Sequence, residues 1–173
     1  MKEIYLISGG RRSGKSNLAE KIARNYKKVI YIALSESRPN DSEWQSRITK
    51  HKLRRPEEWE TIETDELLTI LKTKKNTLLI DSIGGFVTKG LSMQNNEWED
   101  YKRSLIVCLL NYENNLIIVG EQVGWGLVSE YEIGNLFADR LGEIINEITN
   151  IATKNWITIN GKALRLDNIF IDI

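Results

Sequence analysis

The sequence is poor in the residues that cross-link or kink small proteins. Its 173 residues include one cysteine, two prolines and one histidine. A single cysteine, Cys108, excludes an internal disulfide and a cysteine metal cluster, and a reducing cytoplasm suits such a chain. A chain of this length can bury a sufficient core without cross-links. We therefore expect a single domain over residues 1–173.

Long apolar runs and an excess of one charge are also missing. The longest stretch without a charged residue runs only from Ser104 to Tyr112, whereas a membrane-spanning helix needs about 20 apolar residues. No cleavage site follows the short apolar run after Met1, so we expect neither a membrane span nor a signal peptide. The 24 basic side chains balance the 24 acidic ones. This balance, and the lack of a basic–aromatic stripe, disfavour a nucleic-acid partner or a DNA motor.

Short apolar runs alternate with longer amphipathic ones. Five runs, each rich in β-branched or aromatic residues, predict buried strands. They begin at Ile4, Val29, Thr77, Leu116 and Trp156. Their near-continuous apolar character indicates a sheet that is covered on both faces. Residues 163–166 and 169–171 are weaker candidates for edge strands.

Helical periods lie between these runs. One apolar face carries Leu18, Ile22 and Tyr26, a second runs from Trp98 to Leu109, and a third runs from Ile133 to Ile151. Alternating strands and helices predict an α/β fold, with a mostly parallel sheet and helices on both faces. The polar stretch 36–63, which contains both prolines, interrupts this rhythm, and we expect substrate-binding machinery there.

A glycine-rich loop follows the first predicted strand. Gly9-Gly10-Arg11-Arg12-Ser13-Gly14-Lys15-Ser16 matches the phosphate-loop pattern G-x-x-x-x-G-K-[ST]. The glycines let successive N–H groups turn toward one anion, and the following helix directs its positive end at the phosphates. Lys15 can bridge the β- and γ-phosphates, and the Ser16 hydroxyl can bind Mg²⁺. The motif predicts binding of a nucleoside triphosphate, although it does not define the reaction.

Asp81 directly follows the predicted strand at 77–80. A carboxylate in this place is the usual partner of a phosphate loop, because it reaches Mg²⁺ directly or through water. We therefore predict that Asp81 is a second metal-binding and catalytic residue.

The single histidine, His51, lies in a basic segment with Lys50, Lys52, Arg54 and Arg55. The residues alone leave three interpretations open. In the first, the charges form a solvated helix end. In the second, His51 is a half-buried residue that packs beside Trp44 and Ile48 on the same helix face. In the third interpretation the segment binds a phosphate, and His51 attacks an α-phosphorus as a nucleophile.

The chain resembles the bifunctional adenosylcobinamide kinase / adenosylcobinamide-phosphate guanylyltransferase family of cobalamin biosynthesis. The resemblance covers nearly the whole sequence, and the histidine segment together with the phosphate loop is specific to the family. It rests on Ser8-Gly9-Gly10-Arg11-Arg12-Ser13-Gly14-Lys15-Ser16, Tyr31-Ile32-Ala33, Arg47-Ile48-x-x-His51, Arg55-Pro56, Trp59-x-Thr61, Glu63, Leu79-Ile80-Asp81 and Val123-Gly124-x-Gly126-Leu127-Val128.

This resemblance implies a RecA-like phosphate-loop fold, a homotrimer and two reactions. In the first, ATP or GTP phosphorylates a hydroxyl of adenosylcobinamide. In the second, GMP passes from GTP through a guanylyl-histidine, which falls on His51, to give adenosylcobinamide-GDP and pyrophosphate. The implied nucleotide contacts are Gly9, Gly10, Arg11, Arg12, Ser13, Gly14, Lys15, Ser16, Leu34, Ser35, Glu36, Lys52, Leu53, Arg54, Arg55, Glu63 and Asp81.

The chain departs from the family pattern near its carboxyl end. The family has Ser-Asn-Glu where this chain has Gly120-Glu121-Gln122, so the carboxylate is shifted by one position. The family's later Arg-x-Phe-Arg-Asp is replaced by 135–139, Asn-Leu-Phe-Ala-Asp, without either arginine. We expect these changes to affect corrinoid contacts, subunit contacts or one of the two activities more than nucleotide binding.

Two other functions are compatible with the phosphate loop. The chain could be a simple small-molecule kinase in which His51 is structural, or a nucleotide-dependent switch without transferase chemistry. Covalent labelling by GTP separates the family's activity from the first alternative. A switch would hydrolyse or hold nucleotide without needing a corrinoid acceptor.

Overall fold

The computed structural model describes residues 1–34, 55–126, 128–167 and 169. Within these ranges it contains seven strands and five helices. The strands are β1 (Ile4–Gly9), β2 (Val29–Leu34), β3 (Glu60–Thr64), β4 (Thr77–Asp81), β5 (Leu116–Glu121), β6 (Lys154–Ile159) and β7 (Lys162–Arg165). The helices are α1 (Lys15–Ala23), α2 (Leu67–Thr73), α3 (Gly84–Gly90), α4 (Asn95–Asn111) and α5 (Glu132–Ile151). No helix in these ranges has the length and apolar character needed to cross a bilayer.

The strands form one sheet in the order β3-β2-β4-β5-β1-β6-β7. All neighbouring pairs are parallel except β6 and β7, which form an antiparallel hairpin. This confirms the predicted α/β fold with a mostly parallel sheet. Because β5 lies between β1 and β4, the ends of these three strands lie side by side at one edge of the sheet, where ligands of such folds bind.

Two apolar clusters cover the two faces of the sheet. On one face α2, α3, α4 and α5 pack against the alternate strand residues that include Leu6, Ile32 and Ile80. On the other face α1 packs against residues that include Ile7, Tyr31 and Leu79. The central strands are therefore buried on both sides, which explains why their sequences are apolar without alternation.

The structure corrects the prediction for the polar stretch 36–63. Its last part contains the start of β3, which pairs in parallel with β2 at the sheet edge and continues the strand–helix rhythm. β3 has no apolar run because its edge position leaves Glu60 and Glu63 exposed. The preceding residues 35–54 lie outside the described part of the chain.

Several element boundaries also differ from the prediction. α1 ends at Ala23, so Tyr26 is not on the helix; its hydroxyl instead contacts that of Tyr5 at 2.8 Å. Ile133 is largely exposed and does not belong to the buried face of α5. The edge strand at 163–166 is confirmed as β7. Ile169 lies in a turn, whereas residues 170 and 171 are outside the described ranges.

Candidate active site

The phosphate loop connects β1 to α1 and has a conformation that requires glycine at both ends. Gly9 and Gly14 have φ values of 149° and 105°, which side chains rarely tolerate. A β-carbon at Gly9 would lie 2.4 Å from the Thr158 carbonyl oxygen. Between the glycines, the Ser13 N–H donates to the Gly10 carbonyl at 3.3 Å. The loop is thus a compact turn directly before the amino end of α1.

Lys15 folds back over this loop. Its Nζ donates a hydrogen bond to the Gly10 carbonyl at 2.7 Å, and the residue is 9% exposed. Burial lowers the pKa of Lys15, whereas the nearby carboxylates of Glu121 and Asp81 oppose that shift. The ammonium therefore lies where the loop meets two acidic side chains. Ser16, the next residue, is half-buried in the first turn of α1.

Asp81 and Glu121 end the neighbouring strands β4 and β5. Glu121 is the register partner of Gly9, and Asp81 is that of Val119. The phosphate loop and two carboxylates thus share one edge of the sheet. This arrangement can bind a polyphosphate and a divalent cation, because Mg²⁺ is usually held by one or two carboxylates together with phosphate oxygens.

The Oε2 atom of Glu121 is buried. Burial raises the pKa of the Glu121 carboxyl, and a hydrogen bond from Ser82 opposes the shift. Among the described residues its Oε2 has no hydrogen-bond partner, and this atom would lie 3.0 Å from a β-carbon at Gly84. Glycine at position 84 therefore gives this carboxylate its space.

Asp81, the other carboxylate, is held by Tyr31, which is itself in contact with Arg55. The Tyr31 hydroxyl donates to Asp81 Oδ2 at 2.7 Å. Arg55 lies over the Tyr31 ring, with its Cζ 3.1 Å from the ring centroid. Arg55 Nε is 3.9 Å from Glu20 Oε1 on α1, and both side chains are 7% exposed. Arg55, the last basic residue of the histidine segment, is therefore a buried contact between α1 and β2.

The remaining predicted residues fall into three groups. Arg11 and Arg12 are exposed on the phosphate loop. Leu34 ends β2 close to Gly85, whose added β-carbon would clash with the Leu34 carbonyl oxygen. Glu63 is exposed on β3, where it is the register partner of Ala33 on β2. Six predicted residues lie outside the described ranges: Ser35, Glu36, His51, Lys52, Leu53 and Arg54.

Sequence reasoning missed three residues that shape the site. They are Tyr31, Ser82 and Thr158, each in contact with a loop or acidic residue. Ser82 could have been found from its place directly after Asp81. Tyr31 and Thr158 carry no motif signal, since their partners are 50 and 145 residues away in sequence.

This fold and site define a phosphate-loop nucleotide-binding protein. Solved structures with a similar fold include an ATPase of the type III secretion system of pathogenic bacteria, with a TM-score of 0.57 and 15% identity. The match covers 91% of this chain, which spans only 52% of that ATPase. A protein from Pyrococcus horikoshii matches with a TM-score of 0.54 and 12% identity, over 96% of this chain and 89% of its own. At these identities the likeness concerns the fold alone.

Sequence comparison identifies the family to which this nucleotide-binding chain belongs. Residues 5–166 match the model of the CobU family, described as cobinamide kinase / cobinamide phosphate guanyltransferase. The chain belongs to this family, and it is an enzyme of that class. It is 29% identical to the bifunctional adenosylcobalamin biosynthesis protein CobU of Escherichia coli, over 94% of this chain and 99% of that protein. It is 31% identical to the bifunctional adenosylcobalamin biosynthesis protein CobP of Pseudomonas aeruginosa, over 93% of this chain and 95% of that protein. The resemblance found in the sequence is thus confirmed.

Proposed function

We propose that this chain catalyses two successive reactions in cobalamin biosynthesis. It phosphorylates a hydroxyl of adenosylcobinamide with ATP or GTP. It then transfers GMP from GTP to adenosylcobinamide phosphate, with release of pyrophosphate and formation of adenosylcobinamide-GDP. The observation that carries this proposal is the phosphate loop beside two strand-end carboxylates, in a chain that matches the family over residues 5–166.

Lys15, Ser16 and Asp81 are the proposed phosphate- and metal-binding residues, with the loop residues 9–14 around the phosphates. Lys15 supplies positive charge at the loop. The hydroxyl of Ser16 and the carboxylate of Asp81 have the chemistry that Mg²⁺ prefers. A bound Mg²⁺ would offset phosphate charge during transfer, while Tyr31 holds the orientation of Asp81.

His51 is the proposed guanylylation nucleophile. Its imidazole attacks the α-phosphorus of GTP, a P–N bond forms, and the bond to pyrophosphate breaks. The acceptor phosphate then attacks the same phosphorus and displaces the imidazole. The buried contacts of Arg55 with Tyr31 and Glu20 support this role. They fix the chain four residues from His51, and four residues span at most about 14 Å.

The organisation that we propose is a single transferase domain whose polar stretch 36–63 carries the histidine. We also propose a homotrimer that acts in the cytoplasm. The homotrimer follows from the family resemblance, and the cytoplasmic location follows from the cysteine usage, since the free Cys108 is compatible with a reducing compartment. The trimer is testable by light scattering of the purified protein.

Covalent labelling tests the function directly. Incubation with α-labelled GTP and Mg²⁺ should attach label that is lost in acid and survives base, as a phosphoramidate requires. His51→Asn should abolish this label. The same variant should still transfer label from γ-labelled ATP to adenosylcobinamide, which also serves as the control for its folding.

Three results would contradict parts of the proposal. Label that persists in His51→Asn would assign the nucleophile elsewhere. Phosphorylation of adenosylcobinamide without any labelling of the wild-type protein would reduce the enzyme to a kinase. Nucleotide binding without either reaction would favour a nucleotide-dependent switch.

A further inference from the structure

The turn between β6 and β7 packs against the phosphate loop. Asn160 and Gly161 both have positive φ values, 51° and 77°, as a tight two-residue hairpin turn requires. The Gly161 N–H donates to the Ser13 carbonyl at 2.9 Å. The Cα of Gly161 would also lie 3.4 Å from a β-carbon at Gly14. The hairpin therefore contacts the loop through its backbone.

A second contact runs through the Thr158 hydroxyl, near the end of β6. It donates to the Ser8 carbonyl at 3.2 Å and lies 2.6 Å from the Ser13 hydroxyl. A hydroxyl has one proton, so while Thr158 donates to the Ser8 carbonyl it accepts the hydrogen bond from Ser13. Thr158 and Ser13 are 2% and 7% exposed. Water therefore does not replace these contacts easily.

This arrangement assigns a structural task to Ser13. Its N–H, carbonyl and hydroxyl are all engaged, with Gly10, Gly161 and Thr158 respectively. In this arrangement the Ser13 hydroxyl proton is used in the bond to Thr158 rather than in a bond to a phosphate. Ser13 therefore anchors the loop to the β6–β7 hairpin.

We propose that Thr158 is a positioning residue for nucleotide binding, acting through Ser13. Its hydroxyl holds the middle of the loop against the β6–β7 hairpin, so that the loop is already shaped before a nucleotide arrives. This inference rests on the proposed function only in that the phosphate loop binds the nucleotide. Preorganisation of this kind improves affinity by reducing the cost of ordering.

Substitution of Thr158 by valine tests the inference. Thr158→Val keeps the shape of the side chain and removes both hydrogen bonds, whereas Thr158→Ser retains the hydroxyl. Loss of buried hydrogen bonds should raise the Kd for GTP about tenfold in Thr158→Val. The KM for nucleotide should rise by the same factor, while the KM for adenosylcobinamide stays unchanged. Thr158→Ser should restore the nucleotide affinity.

Thr153→Val is a matched control at the opposite end of β1. The Thr153 hydroxyl also contacts β1: it accepts from the Ile4 N–H at 3.0 Å, and its proton is within reach of Glu3 Oε2 at 2.8 Å and of the Ile4 carbonyl at 3.0 Å. Thr153→Val should lower Tm and leave the Kd for GTP unchanged. An equal rise of Kd in this control would overturn the inference, because general destabilisation would then explain the effect.

Ser13→Ala alone should also raise the Kd for GTP, which keeps the test decisive if Thr158→Val folds poorly, and a double variant tests whether the two residues act together. Ser13→Ala removes the same hydrogen bond from the other side, so the two substitutions should be non-additive in Kd. Additive effects would mean that Ser13 contacts the phosphate independently, and unchanged affinity in Thr158→Val would mean that the contact is unimportant. Either result would refute the inference. If the wild-type protein bound no nucleotide, the proposed function would fail instead.

Discussion

The Tyr31 hydroxyl donates a hydrogen bond to Asp81 Oδ2 at 2.7 Å, across the neighbouring strands β2 and β4. Burial strongly raises the pKa of Tyr31, and the Asp81 charge adds to this shift. The phenol therefore remains a donor throughout the ordinary pH range. One oxygen of the carboxylate is fixed by this bond, which sets the direction of the other.

Removal of this hydroxyl should weaken the metal site. Tyr31→Phe keeps the ring under Arg55 but frees Asp81, so we expect phosphoryl transfer to require a several-fold higher Mg²⁺ concentration. Mg²⁺ titration of the kinase reaction measures this. Tyr112→Phe is the control, because the Tyr112 hydroxyl donates to the Asn76 carbonyl at 2.5 Å, before β4 begins. Equal Mg²⁺ dependence in both variants would show that Tyr31 does not orient Asp81.

Substitution of the loop lysine should reduce nucleotide affinity. A charge-assisted contact to phosphate contributes about 1.5–3 kcal/mol, so Lys15→Ala should bind GTP about tenfold to a hundredfold more weakly. Equilibrium binding of GTP measures the change. Lys21→Ala, which removes an exposed lysine from the last turn of α1, should bind normally. An unchanged affinity in Lys15→Ala would argue against the phosphate-loop assignment.

The two strand-end acids can be separated by amide substitutions. Asp81→Asn is nearly isosteric, so the protein should fold and lose phosphoryl transfer if Asp81 serves the metal. We expect Glu121→Gln to retain more activity than Asp81→Asn. The phosphorylation rates of the two variants decide the matter. Full activity in Asp81→Asn with loss in Glu121→Gln would show that Glu121 is the essential acid.

Glu121 should reduce stability at neutral pH. Burial raises its folded pKa above the unfolded value of 4.5. Between these two pKa values the folded state binds more protons, so the free energy of unfolding falls as the pH rises. Glu121→Gln should therefore raise Tm at pH 7 and change it little near pH 4. Thermal unfolding at both pH values measures this, and a Tm that falls at pH 7 would contradict the role of burial.

The sequence predicted the elements whose burial is uniform. β1, β2, β4 and β5 are apolar runs because both of their faces are covered, and the phosphate loop has its own motif. β6 is only partly buried, and it was predicted from its aromatic and β-branched residues. β3 was missed because an exposed edge strand can carry Glu60 and Glu63. α3 was missed because it begins with two glycines, which disfavour a helix. The structure explains both glycines, because a side chain at position 84 would contact the Glu121 carboxylate and a side chain at position 85 would clash with the Leu34 backbone.

The site was predicted only where the chemistry is local in sequence. Lys15 follows from its motif, and Asp81 from its position at a strand end. The support from Tyr31 and Thr158 depends on strand order, which a single sequence does not supply. The role of His51 stays a prediction, since it lies outside the described residues.

The composition of the two outer strands has a consequence for aggregation. Among the residues that the structure describes, β3 and β7 are the outer strands of the sheet, and each has one side without a strand partner that another copy could extend. β3 places Glu60 and Glu63 there, while β7 is four residues long and begins with the exposed Lys162. When two copies approach through the same edge, like charges meet and pairing is disfavoured. Glu60 and Glu63, which are the reason that β3 was not predicted, thus also oppose the addition of further copies to the edge of the sheet.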